Sequence, residues 1–298
     1  MAGRLADSQT FWKIALAAAA VTWGFSFFVV KDIVETLPTF ELLAIRFGSS
    51  AVIMLVLFFK AIRANVKKQT VLVGLAMGLV EWAAFSAQTL GIAETTAGKS
   101  AFLTGTYCVL VPFVSHFMSG EKLTRYNVGA AFMCLAGIAL VALDSAELNV
   151  GDALTLVGAV LFALQIAMAA KYGRNLDVNA MTFWMFVAMG ALSLASCFLF
   201  EEPLALSSFD ATTWLALAFL SAICTCLLML IQNKGLAMVP ASSGALLLSL
   251  ESPSGVFFSV LMTGETLTVR LVVGFVLIFL AIVVSETHLS FLKRSSED

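Results

Sequence analysis

Charged side chains are scarce in this chain of 298 residues, of which 12% are Asp, Glu, Lys or Arg and 60% are apolar. Soluble domains carry about 25% charged residues, so the charges present here are too few to cover a water-exposed surface. The mean hydropathy is +0.99, and the net charge of −2 leaves no basic domain to bind nucleic acid. The composition therefore predicts a protein that crosses a membrane several times and has no nucleic-acid partner.

Residues that bind metals or perform hydrolysis are also rare. The chain has two histidines, His116 and His288, and five cysteines, none of them in a C-x-x-C pair, so no metal and no other cofactor is predicted. The sequence lacks the GxxxxGK[ST] motif of nucleotide-hydrolysing motors and the HExxH and GxSxG motifs of hydrolases. These absences predict a protein that is not an enzyme, and they leave a membrane-embedded enzyme as a weak alternative.

Long apolar segments make up most of the chain. A bilayer core about 30 Å thick is crossed by a helix of roughly 20 apolar residues. Cutting the sequence at charges, prolines and short polar runs gives ten such segments, at 12–31, 38–59, 70–92, 99–118, 126–143, 152–171, 178–200, 212–233, 241–262 and 268–286. The connections are too short for a soluble domain. The first segment lacks a small-residue cleavage signature, so it is predicted to be a retained helix.

The distribution of lysine and arginine predicts the orientation, because loops on the cytoplasmic side carry an excess of both. With the N-terminus inside, 13 of the 17 lysines and arginines lie in the cytoplasm, three lie outside and Arg46 lies within a span. We therefore expect a multi-pass protein of the cytoplasmic membrane, with short cytoplasmic tails at 1–11 and 287–298.

The sequence contains an internal repeat. A shift of 144 residues aligns Gln88 with Gln232 and Gly91 with Gly235, and it gives 13 identities in the 37 gapless positions from Gln88 to Thr124. A shared bias toward leucine and alanine would not align glutamine, glycine and threonine together. The chain is therefore predicted to consist of two copies of one unit.

The two copies, 12–143 and 152–286, each hold five spans. Because five is an odd number, the second copy enters the membrane from the opposite side, which places the loop of Glu121 in the cytoplasm and the loop of Glu265 outside. Many transporter folds are built from such inverted repeats, with the binding site between them. The predicted fold is an all-α membrane protein of ten transmembrane helices, arranged as two inverted five-helix repeats that alternate between two packings.

Several short motifs carry a resemblance to a known family. They are AAAVTWG at 18–24, LLAIRF at 42–47, GKSAFLT at 98–104, Val111-Pro112, GEKLT at 120–124, ASSGALLL at 241–248, Glu251-Ser252-Pro253 and GETLT at 264–268. The chain resembles the drug/metabolite transporter (DMT) superfamily, EamA-type, over nearly its whole length. The resemblance implies ten helices in two five-helix copies, implies transport and favours export. It leaves the substrate open among amino acids, amines, nucleotide-like metabolites and drugs.

A carboxylate, Glu81, lies in the middle of the third span. On a helix, Gly74, Gly78, Glu81, Phe85 and Gln88 fall on one stripe. A charge at bilayer depth costs at least about 2.5–3.5 kcal/mol, so its presence needs a reason. The stripe is either a cavity wall, on which the carboxylate binds a cationic group or a proton, or a helix-packing groove made by the glycines.

A second carboxylate, Glu251, lies in the middle of the ninth span. Pro253 has no amide hydrogen, so it is predicted to kink the helix and release the carbonyl of Ser249. Gly255 shares the stripe of Glu251. Irregular backbone is not tolerated against lipid, so this segment is predicted to face protein or a water-filled cavity.

Other polar residues within the spans leave alternatives open. Arg46 either extends to the outer interface or pairs with Glu81 as a clamp or gate. Pro112 is expected to free a carbonyl in the fourth span. Gln165 and Gln232 lie toward the cytoplasmic ends of their helices, where backbone or headgroup partners would satisfy them.

Two tryptophans lie at a depth that needs explanation. Trp23 and Trp82 are deeper than an interfacial aromatic belt would place them. Together with Phe85 and Tyr107, they either stack against an apolar substrate or pack in the protein core.

Together these features predict a secondary transporter that exports small amphipathic metabolites, such as amino acids or related amines. The candidate substrate-binding residues are Glu81, Glu251, Trp82, Tyr107, Trp23, Phe85, Gln88 and Ser249. The candidate gating or structural residues are Arg46, Pro112, Pro253 and Gly255. The expected partners are a small-molecule substrate, the lipid bilayer and a coupling proton, and the chain is either a monomer or a homodimer. A passive facilitator or channel-like permease on the same fold is the alternative.

Overall fold

The computed structural model describes residues 8–120, 122–142, 149–203, 206, 209–239, 241–264 and 268–287. Most of both predicted tails and the loop residues Glu121 and Glu265 lie outside these ranges. Within them the chain consists of helices and short connections, and no strand occurs. The protein is therefore the all-α membrane protein that its composition predicts.

The two halves of the chain contain the same succession of helices. The first half forms α1 (Gln9–Ile33), α2 (Thr39–Ala64), α3 (Lys68–Glu94), the two pieces α4a (Ala97–Gly105) and α4b (Tyr107–Ser119), and α5 (Arg125–Ala142). The second half forms α6 (Val150–Tyr172), α7 (Val178–Phe200), α8 (Ala211–Met238), the two pieces α9a (Ala241–Leu248) and α9b (Glu251–Thr263), and α10 (Val269–Thr287). Each of the ten predicted spans coincides with one helix or one broken helix.

Length and hydropathy support a membrane location for most of these helices. Helices α1 to α4, counting α4 as Ala97–Ser119, and α6 to α8 are each long and apolar enough to cross a bilayer. The α5 and α10 helices pack directly on each other, and a methyl group on Gly137 would lie 2.8 Å from the carbonyl oxygen of Gly274. The close approach of these glycines holds the last helix of each half together.

Helices α4 and α9 are interrupted at equivalent places. Thr106 precedes α4b with φ −61° and ψ −16°, and Leu250 precedes α9b with φ −60° and ψ −17°. Both helices then end at a glycine in the left-handed region, Gly120 with φ 71° and Gly264 with φ 67°, where a residue with a Cβ would be strained. The members of each pair are 144 residues apart, so the sequence repeat is also a repeat of local backbone.

The prediction for Pro253 is confirmed in part, because the helix is interrupted between Leu248 and Glu251. Pro253 lies in the first turn of α9b, where a missing N–H costs little. The carbonyl of Ser249 accepts the N–H of Ser252 at 3.1 Å, so the prediction that Pro253 releases this carbonyl is wrong. Pro112 lies inside α4b, and the interruption of α4 comes before it, at Thr106.

The two halves contact each other through a matched pair of hydrogen bonds. The thiol of Cys108 donates to the carbonyl of Ala245 at 2.9 Å, and the hydroxyl of Ser252 donates to the carbonyl of Ala101 at 3.2 Å. At the offset of 144 residues Cys108 corresponds to Ser252 and Ala101 corresponds to Ala245, so the two bonds are equivalent. The crossing of α4 and α9 therefore has local two-fold symmetry, and it lies beside the site described next.

Candidate functional site

A cavity lies between the two halves of the protein. Its walls come from α1 to α4 of the first half and from α6, α8 and α9b of the second. Seven of the predicted site residues line it, namely Trp23, Arg46, Glu81, Phe85, Gln88, Tyr107 and Glu251. The other five, Trp82, Ser249, Pro112, Pro253 and Gly255, do not.

Glu81 is buried at the cavity wall on α3, with 2% of its surface exposed. Its Oε2 atom accepts no hydrogen bond from the described residues. The glycines of the same stripe have a different role, because a methyl group on Gly78 would lie 2.5 Å from the carbonyl oxygen of Met185 on α7. The stripe therefore contains both predicted features, a packing groove at Gly74 and Gly78 and a cavity wall from Glu81 onward.

Arg46 points into the protein, so the alternative in which it extends to the outer interface is wrong. Its side chain is buried, its Nε donates to the Thr225 hydroxyl at 2.5 Å, and its guanidinium lies 4.8 Å from the centre of the Phe85 ring. No ion pair joins it to Glu81 within the described part of the chain. Thr225 and the aromatic ring orient the guanidinium at the cavity wall.

Thr225 belongs to a π-helical stretch of α8, Phe219–Leu227, that the sequence did not predict. Its hydroxyl also donates to the carbonyl of Leu220, five residues earlier, at 2.8 Å. A carbonyl of the same stretch, that of Cys224, accepts the indole N–H of Trp23 at 2.7 Å. Single π-turns frequently occur at functional sites. Thr225 is the repeat equivalent of Glu81, since the two are 144 residues apart, but the two residues are not identical.

Glu251 and Tyr107 lie together at the boundary between the halves. The Tyr107 hydroxyl donates to Glu251 Oε2 at 3.3 Å, and both side chains are buried. These two residues are themselves 144 positions apart. A contact between two equivalent positions places the local two-fold axis of the α4–α9 crossing between them. Ser249 is buried near this crossing, and Gly255 packs against Ala101 there.

Aromatic side chains form the apolar part of the cavity. The Phe85 ring contacts the Phe162 ring edge-to-face, with the ring centres 5.2 Å apart, and Trp23 and Tyr107 lie on neighbouring parts of the wall. Trp82 is different: it is partly buried outside the cavity, and its indole N–H has no partner among the described residues. Trp82 does not line this cavity although its neighbour Glu81 does, because adjacent residues on a helix point about 100° apart.

Glutamines line the cavity from both halves. Gln88 donates to the Thr104 hydroxyl at 3.1 Å, and its repeat equivalent Gln232 donates to Gln165 at 3.0 Å. Gln165 continues the chain of hydrogen bonds to Asn233 at 3.2 Å. The expectation that Gln165 and Gln232 only satisfy backbone or headgroup partners is therefore wrong, since each bonds to the other and lines the cavity.

A buried ion pair that the sequence did not predict joins the halves away from the cavity. Lys99 Nζ on α4a lies 2.7 Å from Asp152 Oδ2 on α6. The other carboxylate oxygen of Asp152 accepts the Thr95 hydroxyl at 3.0 Å, and Asn149 donates to the carbonyl of Glu94 at 3.0 Å. These contacts close one end of the boundary between α3, α4a and α6.

The described residues contain no cluster of three His, Cys, Asp or Glu side chains that could hold a metal ion. Within the cavity, the arrangement instead offers one guanidinium, two carboxylates, several amides and a set of aromatic rings. Such a site can bind a small organic molecule that has charged and apolar parts.

Curated relatives of similar length have transporter names. A protein of Archaeoglobus fulgidus that carries the name uncharacterized transporter is 28% identical over 276 residues, which are 91% of this chain and 84% of that one. The Bacillus subtilis protein YoaV, also an uncharacterized transporter, is 24% identical over 280 residues, which are 89% of this chain and 94% of its own. The similarity therefore extends over most of the length of these transporters.

Comparison with a solved structure and with a family model identifies the family. A crystal structure of a protein that is 17% identical aligns with a TM-score of 0.71, covering 98% of this chain and 100% of the other. Similarity at this level of identity shows a shared fold. The model of the EamA-like transporter family matches residues 10–143 and again residues 149–287. This multi-pass membrane protein therefore belongs to the EamA-like transporter family.

Proposed function

We propose that the protein is a secondary carrier that exports small amphipathic metabolites, amino acids or related amines, by alternating access between its two halves. The observation that carries this proposal is the cavity itself, because residues of both halves line it and it contains Glu81, Arg46 and Glu251 together. A charge at bilayer depth costs at least about 2.5–3.5 kcal/mol, so three of them around one cavity indicate ligand binding or ion coupling.

The two-fold crossing of α4 and α9 supports alternation between two packings. In inverted-repeat transporters, one repeat rocks against the other around a fixed binding site. The ion pair between Lys99 and Asp152 has no counterpart in the repeat, where the equivalent positions hold Ser243 and Ser8. The two halves therefore differ at this position, although the repeat relates them.

The orientation, location and coupling complete the proposal. The bias of lysine and arginine supports a location in the cytoplasmic membrane with both termini inside. Glu81 and Glu251 are the groups that carry a coupling proton or neutralise a substrate amine. The apolar part of the substrate contacts Phe85, Phe162 and Trp23.

Counterflow distinguishes this carrier from a passive facilitator. Proteoliposomes preloaded with an unlabelled mixture of L-amino acids are diluted into a trace of the same mixture labelled with ¹⁴C. We expect a transient accumulation of label above equilibrium, because a carrier exchanges substrates through one alternating site. Simple equilibration without an overshoot would instead indicate a channel-like permease, and label uptake equal to that of empty liposomes would contradict amino-acid transport.

The same assay tests the carboxylates. We expect Glu81→Gln and Glu251→Gln each to lower the initial rate of counterflow by about tenfold or more, because a hydrogen bond to a charged group contributes about 1.5–3 kcal/mol. Glu94→Gln is the matched control, since Glu94 ends the same helix as Glu81 and is exposed. Rates within twofold of the parent for both cavity variants would contradict the assignment of these carboxylates.

A further inference from the structure

The π-helical stretch of α8, Phe219–Leu227, is a point of contact between the two halves. Three side chains of the first half, one from α1 and two from α2, donate hydrogen bonds to it. The bonds run from Trp23 to the carbonyl of Cys224 at 2.7 Å, from Ser50 to the carbonyl of Ser221 at 2.9 Å, and from Arg46 to the Thr225 hydroxyl. Trp23 and Arg46 also line the cavity, so the first half meets α8 at the cavity wall.

α8 is one residue longer than its repeat equivalent. It spans 28 residues, whereas α3 spans 27 and is α-helical throughout. A hydrogen bond between residues five apart encloses one residue more than the α-helical bond between residues four apart. The extra residue of α8 is therefore taken up by the π-helical stretch, and the rest of the helix keeps the same register as α3.

The π form depends on its contacts. π-helices are rare, so this stretch needs bonds that a regular α-helix would not make. Thr225 supplies one of them within α8, since its hydroxyl donates to the carbonyl of Leu220, five residues earlier. The first half supplies the other three. When α1 and α2 move away from α8, only the bond within α8 remains, and the stretch is expected to become an α-helix.

The two ends of α8 are held very differently. Seven of the eleven residues of Leu228–Met238 are buried, and Gly235 among them packs against Leu16 of α1. In Ala211–Ala218, every residue of which the structure describes, Leu217 alone is buried. A change in the π-helical stretch therefore moves the beginning of α8 and leaves its end in place.

We infer that Phe219–Leu227 is a joint in α8, which is π-helical while it holds α1 and α2 and α-helical when they move away. This inference rests on the proposed carrier function, because alternation between two packings is what breaks the three bonds. Loss of the π-turn rotates the beginning of α8 by about 100° and shifts it by about 1.5 Å along the axis, the values for one residue. The beginning of α8 then leaves α1 and α2, and the cavity wall opens at Trp23 and Arg46.

Deletion of a single residue tests the joint on the purified protein. Ile223 lies in the π-helical stretch and is 39% exposed, and Leu79 in α3 is the matched control, since it is apolar and 53% exposed. Without Ile223, α8 becomes a continuous α-helix with both ends in their present orientation. Without Leu79, one end of α3 must rotate by about 100° and lose its packing. We expect the Ile223 deletion to lower the melting temperature in detergent by less than half as much as the Leu79 deletion.

Equal losses of melting temperature for the two deletions would overturn the inference, because they would show that α8 has no residue to spare. In proteoliposomes, the Ile223 deletion should also abolish counterflow, since a continuous α-helix has no extra residue to release. Counterflow equal to that of the parent would contradict the joint.

Pulsed electron–electron double resonance measures the movement of α8 directly. One pair of spin labels joins Glu35, just beyond α1, to Thr212 at the beginning of α8. The control pair joins Lys13 in the first turns of α1 to Met238 at the end of α8. All four positions are exposed, whereas the five native cysteines are buried and react only slowly with labelling reagents.

The double variant Ser50→Ala with Thr225→Val removes two of the three bonds from the first half and the bond within α8. We expect it to add a second distance for the first pair of labels, while the control pair keeps one. A single, unchanged distance for the first pair would overturn the inference, and so would equal changes in both pairs, which would show rigid rocking of the halves. If the parent gives no counterflow but the first pair changes as expected, the joint stands while the proposed function fails.

Discussion

Replacement of Asp152 by alanine is expected to lower the free energy of unfolding by about 3–5 kcal/mol, because breaking a buried ion pair leaves the other charge uncompensated. The Asp152 side chain is completely buried, and its Oδ2 lies 2.7 Å from the Lys99 ammonium. Its other oxygen accepts the Thr95 hydroxyl. The variant removes both interactions and leaves Lys99 without its counter-charge at the boundary between the halves.

Thermal unfolding in detergent measures this effect. Asp177→Ala is the matched control, because Asp177 caps α7 through the N–H of Ala180 and loss of a cap costs only about 0.5–2 kcal/mol. The double variant Lys99→Met with Asp152→Leu should recover much of the loss, since an apolar pair can replace a buried ion pair. A loss for Asp152→Ala no larger than that for Asp177→Ala would mean that the ion pair contributes no more than a cap.

Gly24→Ala is expected to destabilise the protein by about 1–3 kcal/mol, because it inserts a methyl group into a contact between backbones. A Cβ at Gly24 on α1 would lie 2.5 Å from Ser254 Cβ, 2.7 Å from the nitrogen of Gly255 and 2.9 Å from the carbonyl oxygen of Glu251. Two of these three atoms belong to the backbone of α9b and cannot rotate away. The helices must therefore separate beside the cavity, so ligand binding should weaken as well.

Gly129→Ala on α5 is not expected to destabilise the protein, because a methyl group there would meet nothing within 4 Å. Alanine is favoured over glycine inside a helix by about 1 kcal/mol, so this variant should be as stable as the parent or more stable. The pair is measured by melting temperature in detergent. Equal melting temperatures for Gly24→Ala and Gly129→Ala would disprove close packing of α1 on α9b.

The sequence predicted where the cavity lies better than it predicted which residues line it. Glu81 and Glu251 were found because a carboxylate in the middle of an apolar span is rare enough to require a function. Trp82 was assigned to the same site because depth along a helix can be read from the sequence, whereas the direction of a side chain depends on what the helix packs against. Phe85 lies one helical turn beyond Glu81 and does reach the cavity.

The misassigned or missed residues depend on partners that are distant in sequence. Arg46 turns inward because Thr225, 179 residues later, offers an acceptor. That threonine lies in a π-helical stretch for which the sequence gave no signal. Lys99 and Asp152 each lie near the end of an apolar span, where a charge is ordinary, and only their contact makes them a buried pair.

The sequence by itself determined that this protein is helical, crosses a membrane and consists of two copies of one unit. Each of these properties depends on composition, on the length of apolar segments or on identity at a fixed offset. All three are signals to which many residues contribute. Only the tertiary structure decided which faces meet, where α4 and α9 break, and which charges find partners. Those outcomes depend on single contacts between distant helices, and a change of one residue in register would exchange one partner for another.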